Sequence, residues 1–495
     1  MRESPVNEFS LVEGPCRGVA QPGSASVLGT EGRRFESCLP DHTATGSEEH
    51  ALTVSAPAKL DRRAIWAIAL PAMITNVATA LIGIGDMWIV GQLGDAPTQG
   101  AVDVGARLFA VLFTVMNFLK TGTTGLVAQE GTRAGSQAQV AVLLRGLAVG
   151  FAIAAILLLA RPVLLPFALA ALGAEGQVLG AARIYAEIRY WSAPAVMANL
   201  ALIGFMVGRR QMTAVLLFEV AYNFANIALG LWFVFGLDWG IAGIGWSSLI
   251  AEYAKLAALV LFLGRGELVA HIRAALQERA TLSWQALRPF LSVNRDLFLR
   301  TLVLTVALAA LTRLSAERGA VLLAASGILY QMFIFSALLL DGFENAAQVL
   351  NGERAGARDR AGFVGYARAI LLRGSVAAAG VAALFALFAG PVLASFAATA
   401  EVEATARDLA LWLVVIPFAG VASFVLDGVF VGASWTRALL LSMLGAALAY
   451  ALALWLSWPM GAHGLWLSFV IFLAARAVFQ LALMPRLLDR EFGGS

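Results

Sequence analysis

The residues that can do chemistry here are ionisable side chains that interrupt long apolar stretches. Asp86 ends the short run GIGD in one such stretch, and Gly91 follows it. A charge at the centre of a bilayer costs at least about 2.5–3.5 kcal/mol, so such residues are typically functional. Burial disfavours a charged carboxylate, which can then take up and release a proton when its solvation changes. We predict that Asp86 couples ion movement; the alternative is a structural Asp at a helix break or in an ion pair.

A second group of polar residues repeats at helical spacing. Glu219, Asn223 and Asn226 occupy positions i, i+4 and i+7, which share one face of a helix. This stripe predicts a face turned toward the bundle interior, which serves either substrate binding or hydrogen bonding between helices. Glu252, in the next apolar stretch, is a further candidate for the cavity. It is equally suited to a structural pair with a basic side chain.

The C-terminal part carries acidic candidates of its own. Asp341 and Glu344 lie at i, i+3 on one helical face, and Asp427 lies in the run LDGVFVGA. We predict Glu344 and Asp427 as cavity residues, while a role at a helix end is equally open for Asp427. Arg300 and Arg476 are interpreted as interface residues or members of internal ion pairs.

Composition places these residues in a membrane protein. Hydrophobic residues make up 60% of the chain and charged residues 14%, against roughly 25% charged in soluble domains. A membrane-spanning helix needs about 20 mostly apolar residues, and the chain contains about twelve such stretches. They are 64–92, 103–128, 138–161, 178–206, 213–236, 241–264, 296–316, 320–345, 364–389, 404–431, 437–458 and 464–485. The predicted fold is all-α and polytopic.

The positive charges of the connections predict the orientation. Cytoplasmic loops hold an excess of Lys and Arg. Alternate connections carry arginine here, whereas the others are nearly free of it apart from Arg318 and Arg407. The arginine-bearing connections contain Arg133, Arg209, Arg210, Arg265, Arg273, Arg279, Arg288, Arg354, Arg358, Arg360 and Arg437. We predict a multi-pass protein of the cell inner membrane with both termini in the cytoplasm.

Residues 1–54 do not share this pattern. They are polar and contain both cysteines, Cys16 and Cys38. The run 17–42 resembles peptides that arise when a reading frame is translated through a transfer-RNA gene, which predicts a spurious N-terminal extension. A disordered tail is the alternative, whereas a signal peptide would need an apolar core after a basic start. The membrane part itself has no cysteine, so disulfides and thiolate chemistry are excluded there.

Internal repeats divide the membrane part into two units. Residues 131–135 (GTRAG) recur as 352–356 (GERAG), 221 positions later (352 − 131), and Gly432 follows Gly208 by 224 (432 − 208). Each unit has six spans, so both enter the membrane from the same side and their pseudo-twofold axis runs along the membrane normal. The predicted parts are an N-terminal six-helix bundle, a cytoplasmic linker and a C-terminal six-helix bundle, at 60–264, 265–295 and 296–488.

Enzyme chemistry finds no support in the sequence. The four histidines do not form HExxH or another metal-binding spacing, and no GxxxxGK[ST] loop for ATP is present. We therefore predict no catalysis, no metal site and no cofactor other than a coupling ion. The net charge of +3 is explained by the predicted cytoplasmic loops, so no nucleic-acid partner is expected.

Four runs together resemble the DinF branch of the multidrug and toxic compound extrusion (MATE) family. They are 70–94 (LPAMITNVATALIGIGDMWIVGQLG), 119–129 (LKTGTTGLVAQ), 223–227 (NFANI) and 426–433 (LDGVFVGA). The resemblance covers about residues 60–488. It implies a V-shaped, twelve-helix antiporter, which we expect to be monomeric, that exports amphipathic or cationic compounds in exchange for protons or sodium ions. It also implies that Asp86 is the coupling carboxylate of the N-terminal half.

One departure from the family pattern affects the ion site. Relatives often carry an aspartate four residues after the second Asn of the stripe, where this chain has Gly230. A two-carboxylate ion site in this half is then expected only if Glu219 or Glu252 replaces that aspartate.

The repeat also predicts a gate. An offset of 221 places Lys120 and Asp341 at equivalent depths (341 − 120). We predict that they form an inner gate, shared with Glu344; the alternative is that each charge finds a partner within its own half or reaches the membrane interface. Two other functions stay open: a lipid-linked oligosaccharide flippase of the same superfamily, which would have a more basic cavity, and a membrane receptor or scaffold that transports nothing.

Overall fold

A computed structural model describes residues 60–91, 96–265, 268–278, 280–397 and 399–493, without the side chains of 80–88, 90–91 and 96–99. The predicted extension 1–54 therefore lies outside the described residues. In the described part every regular element is a helix. The helices of the first half are α1 (Arg62–Gly91), α2 (Ala96–Met116), α3 (Phe118–Arg133), α4 (Ser136–Ala171), α5 (Gly176–Tyr190), α6 (Ala193–Gly208), α7 (Met212–Leu231) and α8 (Gly240–Leu263).

The second half follows a short connecting helix, α9 (Leu268–Gln277). Its helices are α10 (Trp284–Glu317), α11 (Ala320–Gly356), α12 (Arg360–Phe396), α13 (Ala400–Asp408), α14 (Leu411–Gly432), α15 (Thr436–Ser457) and α16 (Ala462–Phe492). The Ser283 hydroxyl caps α10 by accepting from the Ala286 N–H at 3.4 Å. Helix α10 thus begins within the segment predicted as linker.

Among the described residues ten helices are long and apolar enough to cross a membrane, and the pair α5–α6, bent by 51°, makes eleven. Helix α1, with 30 residues and an apolar sequence, fits the twelfth predicted span. The bend between α5 and α6 precedes Pro194, because proline disfavours helical backbone in the residue before it. The predicted all-α, polytopic fold is confirmed.

The buried apolar side chains show how the two halves join. At the end predicted to face the cytoplasm one core contains residues of both halves, such as Val127 and Val349. At the other end the described residues form two separate cores: one within the first half around Tyr185, and one within the second half around Phe469. The halves therefore pack together at one end and diverge toward the other, which is the V shape that the resemblance implies.

Paired hydrogen bonds measure the register of the repeat. Gln139 donates to the Val127 carbonyl at 2.9 Å, and Asn351 donates to the Phe363 carbonyl at 2.7 Å. Both members of the second pair lie 224 residues after their counterparts (351 − 127 and 363 − 139). In the last span of each half the offset is 221 (468 − 247), because Ser247 and Ser468 each donate to the carbonyl three residues earlier.

This register corrects the one predicted from the two glycine motifs. Gly204 packs on the carbonyl of Lys120, and Gly428 packs in the same way on the carbonyl of Glu344. Both pairs are 224 apart, so Glu344 and not Asp341 occupies the position equivalent to Lys120. The motifs GTRAG and GERAG misled the alignment by three residues, nearly one helical turn, so a match of helix-end glycines conceals the slip.

Candidate functional site

A cavity of about 540 Å³ lies mainly within the first half. Its wall is formed by helices α1, α2, α3, α5, α6, α7 and α8, and α11 contributes Leu338. This volume is in the range of small-molecule sites, which is about 300–1,000 Å³. Aromatic side chains form part of the wall, and the charged lining residues are Lys120, Arg189, Glu219, Glu252 and Lys255.

Two of the predicted carboxylates meet at one buried ammonium in this wall. Lys255 Nζ lies 3.6 Å from Glu219 Oε1 and 3.4 Å from Glu252 Oε2, with side-chain exposures of 7%, 11% and 13%. Asn199 donates to Glu252 Oε2 at 2.9 Å, and the Lys255 ammonium lies 3.8 Å from the centre of the Tyr222 ring. The cluster contains two negative charges and one positive charge, so it carries an uncompensated negative charge.

The rest of the predicted stripe is buried beside this cluster, as expected for a face turned inward. Asn223 is 8% exposed and Asn226 is 1% exposed. Asn226 Oδ1 accepts from the Ser248 hydroxyl at 3.4 Å, which joins α7 to α8. The side-chain amide of Asn223 has no hydrogen-bond partner among the described residues. Neither Asn lines the cavity, so Glu219 is the member of the stripe that faces it.

Asp86 lies in α1, five residues before the helix ends at Gly91. Its side chain is outside the described residues, so its contacts do not enter the geometry of the site. Helix α1 packs along both α7 and α11, and Asn76 donates to the Leu338 carbonyl of α11 at 3.1 Å. The helix that carries Asp86 therefore contacts both halves of the protein.

Asp427 lies at the centre of a buried polar cluster in the second half. Its carboxylate, 0% exposed, accepts from Arg300 of α10 and from Arg476 and Gln480 of α16. Arg300 and Arg476 therefore form internal ion pairs. Nothing in this arrangement exposes Asp427 to the cavity of the first half, and its three partners show that it connects α10, α14 and α16.

The predicted gate residues lie near each other without forming an ion pair. Lys120 lines the cavity, and its positive charge acts on the Asp341 carboxylate. No ion pair within 4.0 Å joins them, although both side chains belong to the described residues. Asp341 and Glu344 also act electrostatically on Arg300, so both carboxylates belong to the charged network around Asp427. Glu344 is not among the residues that line the cavity.

Polar contacts join the two halves at the end predicted to face the cytoplasm. Arg210, between α6 and α7, forms a double hydrogen bond with the Glu353 carboxylate of α11. This bond raises the pKa of the Arg210 guanidinium above its ordinary value. The Glu353 carbonyl accepts from the Thr132 hydroxyl at 2.8 Å, and Gln129 donates to the Gly432 carbonyl at 2.6 Å. Among the described residues this end of the V is closed.

Comparison with known proteins identifies the family. The MatE family model matches residues 71–232 and 297–456. The chain belongs to the MATE family. It is 33% identical over 426 residues to DNA damage-inducible protein F of Escherichia coli (strain K12), with 86% of this chain and 92% of the relative covered. The predicted membership of the MATE family and of its DinF branch is confirmed.

Other MATE relatives extend the comparison. The chain is 24% identical over 444 residues to the probable multidrug resistance protein NorM of Chromobacterium violaceum, covering 86% of this chain and 94% of NorM. A crystal structure of MATE in the bent conformation aligns with a TM-score of 0.78 at 18% identity, over 87% of this chain and 96% of that one. An outward-facing MATE transporter aligns with a TM-score of 0.74 at 18% identity over the same shares. These likenesses establish the fold.

The sequence reasoning missed a buried cation in each half of this MATE protein. Lys255 in α8 and Arg476 in α16 are 221 residues apart (476 − 255), which is the structural offset of the last spans. Each contacts carboxylates, Glu219 and Glu252 for Lys255 and Asp427 for Arg476. The repeat carried this signal, because the offset that relates Gly240 to Gly461 also relates Lys255 to Arg476.

The gate between Lys120 and Asp341 is testable by exchanging the charges. We expect Lys120→Asp and Asp341→Lys each to impair transport, because each places two like charges near one another. The double exchange should restore transport if the two residues pair in another state of this MATE protein, by anything from about zero to a few kcal/mol, since desolvation opposes attraction. Transport is measured in proteoliposomes. A double variant no better than the worse single variant contradicts the gate.

Proposed function

We propose that this protein is a secondary active antiporter that exports amphipathic or cationic small molecules in exchange for protons or sodium ions. The observation that carries the proposal is the cavity, which places buried carboxylates inside a membrane-spanning V closed at one end. Relatives described as multidrug resistance and multidrug export proteins support the class of substrate. The sequence contains no ATP-binding loop, so an ion gradient supplies the energy.

Within this proposal Asp86 binds and releases the coupling ion, and Glu219 and Glu252 hold the cationic part of the substrate. Lys255 shares both carboxylates at 3.6 and 3.4 Å, so an incoming cation competes with its ammonium. A bound substrate thereby changes the charge balance of the cavity. The arginine-rich connections place both termini in the cytoplasm of the inner membrane, and the protein acts as a monomer.

The experiment is efflux of a fluorescent cation from loaded vesicles that contain the purified protein. A proton gradient and a sodium gradient are imposed separately. We expect efflux driven by one of them, because each transport cycle exchanges the dye for the coupling ion. Dissipating the gradient with an ionophore is the control and should abolish the efflux. No flux under either gradient would contradict the proposal and favour a flippase or a receptor.

A further inference from the structure

The charges of the central cavity do not match a ligand that is only cationic. Its described lining carries three positive side chains, Lys120, Arg189 and Lys255, against the carboxylates Glu219 and Glu252. Both carboxylates already contact Lys255, and Asn199 also donates to Glu252. A purely cationic molecule would therefore meet a wall with an excess of positive charge.

Lys120 differs from the other two cations of the cavity. Lys255 contacts two carboxylates, and Arg189 donates to the Tyr185 hydroxyl and lies 5.2 Å from the centre of the Phe109 ring. The Lys120 ammonium makes no hydrogen bond, ion pair or ring contact with any side chain that the structure describes. An ammonium inside the membrane without such a partner is costly.

Two simple ways to satisfy Lys120 do not fit its position. It lies 13 residues before the end of α3 at Arg133, about 20 Å along the helix, which is too deep for its side chain to reach the membrane surface. Asp86 is equally remote. Asp341 lies beside Gly342, which packs against Ala69 and Met73, and Asp86 is 13 residues, or about 20 Å, farther along α1 than Met73.

We infer that the cavity binds amphipathic molecules that carry an anionic group, and that Lys120 contacts that group. The inference rests on the proposed export function and narrows its substrates to amphiphiles with a carboxylate or similar anion. Asn199 Oδ1, which lacks a hydrogen-bond donor among the described residues, offers an acceptor on the same wall. The excess negative charge of the Glu219, Glu252 and Lys255 cluster receives a cationic end of the same molecule, so a zwitterion satisfies both sides.

The test uses two dyes that differ in one group. Rhodamine B has a cationic ring system and a free carboxylate, and its ethyl ester has the same ring system without the negative charge. Binding to the full-length protein in lipid nanodiscs is measured by fluorescence anisotropy, with empty nanodiscs as background. We expect Lys120→Gln to weaken rhodamine B binding about tenfold, since a charge-assisted contact is lost, and to leave binding of the ester unchanged.

Two further variants keep the result interpretable. Lys120→Arg keeps the charge and should retain the wild-type affinity for rhodamine B. Arg313→Gln removes an exposed cation that pairs with Glu317, and it should leave both dyes unaffected. Retained ester binding shows that each variant is folded.

The outcomes separate the inference from the proposed function. If the ethyl ester binds and neither dye depends on Lys120, the export function stands and the inference alone is overturned. If neither dye binds the wild-type protein, the proposed export of such amphiphiles is contradicted together with the inference.

Discussion

Asp86→Asn should abolish ion-driven export and leave a folded protein in the membrane. Asparagine keeps the size and polarity of the side chain but cannot take up and release a proton or supply a negative charge to a bound ion. The expected loss is complete, because an antiporter that cannot bind its coupling ion cannot concentrate substrate against a gradient. The measurement is gradient-driven efflux from proteoliposomes, with the amount of inserted protein determined in parallel.

The matched control for this prediction is Asp103→Asn in α2. The Asp103 carboxylate pairs with Arg107 at 2.9 Å and is 41% exposed, so the same chemical change there should leave export intact. An Asp86→Asn protein that still accumulates substrate against its gradient would show that Asp86 is not the coupling carboxylate.

Asp427→Asn should destabilise the protein strongly. The substitution leaves the guanidinium groups of Arg300 and Arg476 buried without their counter-charge. Removing one partner of a buried ion pair costs about 3–5 kcal/mol, because the remaining charge stays desolvated. Thermal unfolding in detergent, compared with wild type, is the measurement, and the melting temperature should fall clearly.

Two comparisons test the reason for that effect. Asp103→Asn should change stability by about 0–1 kcal/mol, since exposed ion pairs contribute little. Replacing the three charged residues together, as Arg300→Met, Asp427→Leu and Arg476→Met, should recover much of the lost stability because no buried charge remains unpaired. An Asp427→Asn protein that melts like wild type would mean that the cluster tolerates uncompensated charge.

The sequence was sufficient for the overall fold. Apolar segments of membrane-spanning length specify helices almost regardless of their partners, since backbone groups in lipid must be hydrogen-bonded within the helix. The count of spans and the all-helical class followed from this rule. The V shape did not follow from it and came from the family resemblance. The structure supports it through separate apolar cores toward one end.

The site was predicted less completely, because its contacts join residues far apart in the chain. Glu219 and Glu252 were identified as cavity candidates, but their shared partner Lys255 was not. The role of Asp427 stayed undecided because Arg300 and Arg476 lie 127 and 49 residues away. The register of the repeat was wrong by three residues at Lys120, since glycines at helix ends match equally well in neighbouring turns. Only the packing of Gly204 and Gly428 distinguishes the two registers.

The most direct test of antiport is movement of the ion driven by substrate alone. Proteoliposomes are prepared with no ion gradient and with a substrate gradient across the membrane, and a trapped pH-sensitive or sodium-sensitive dye reports the ion. The account predicts that substrate moving down its gradient drives protons or sodium ions in the opposite direction, and that Asp86→Asn eliminates this flux. Substrate movement without any opposing ion flux would contradict it.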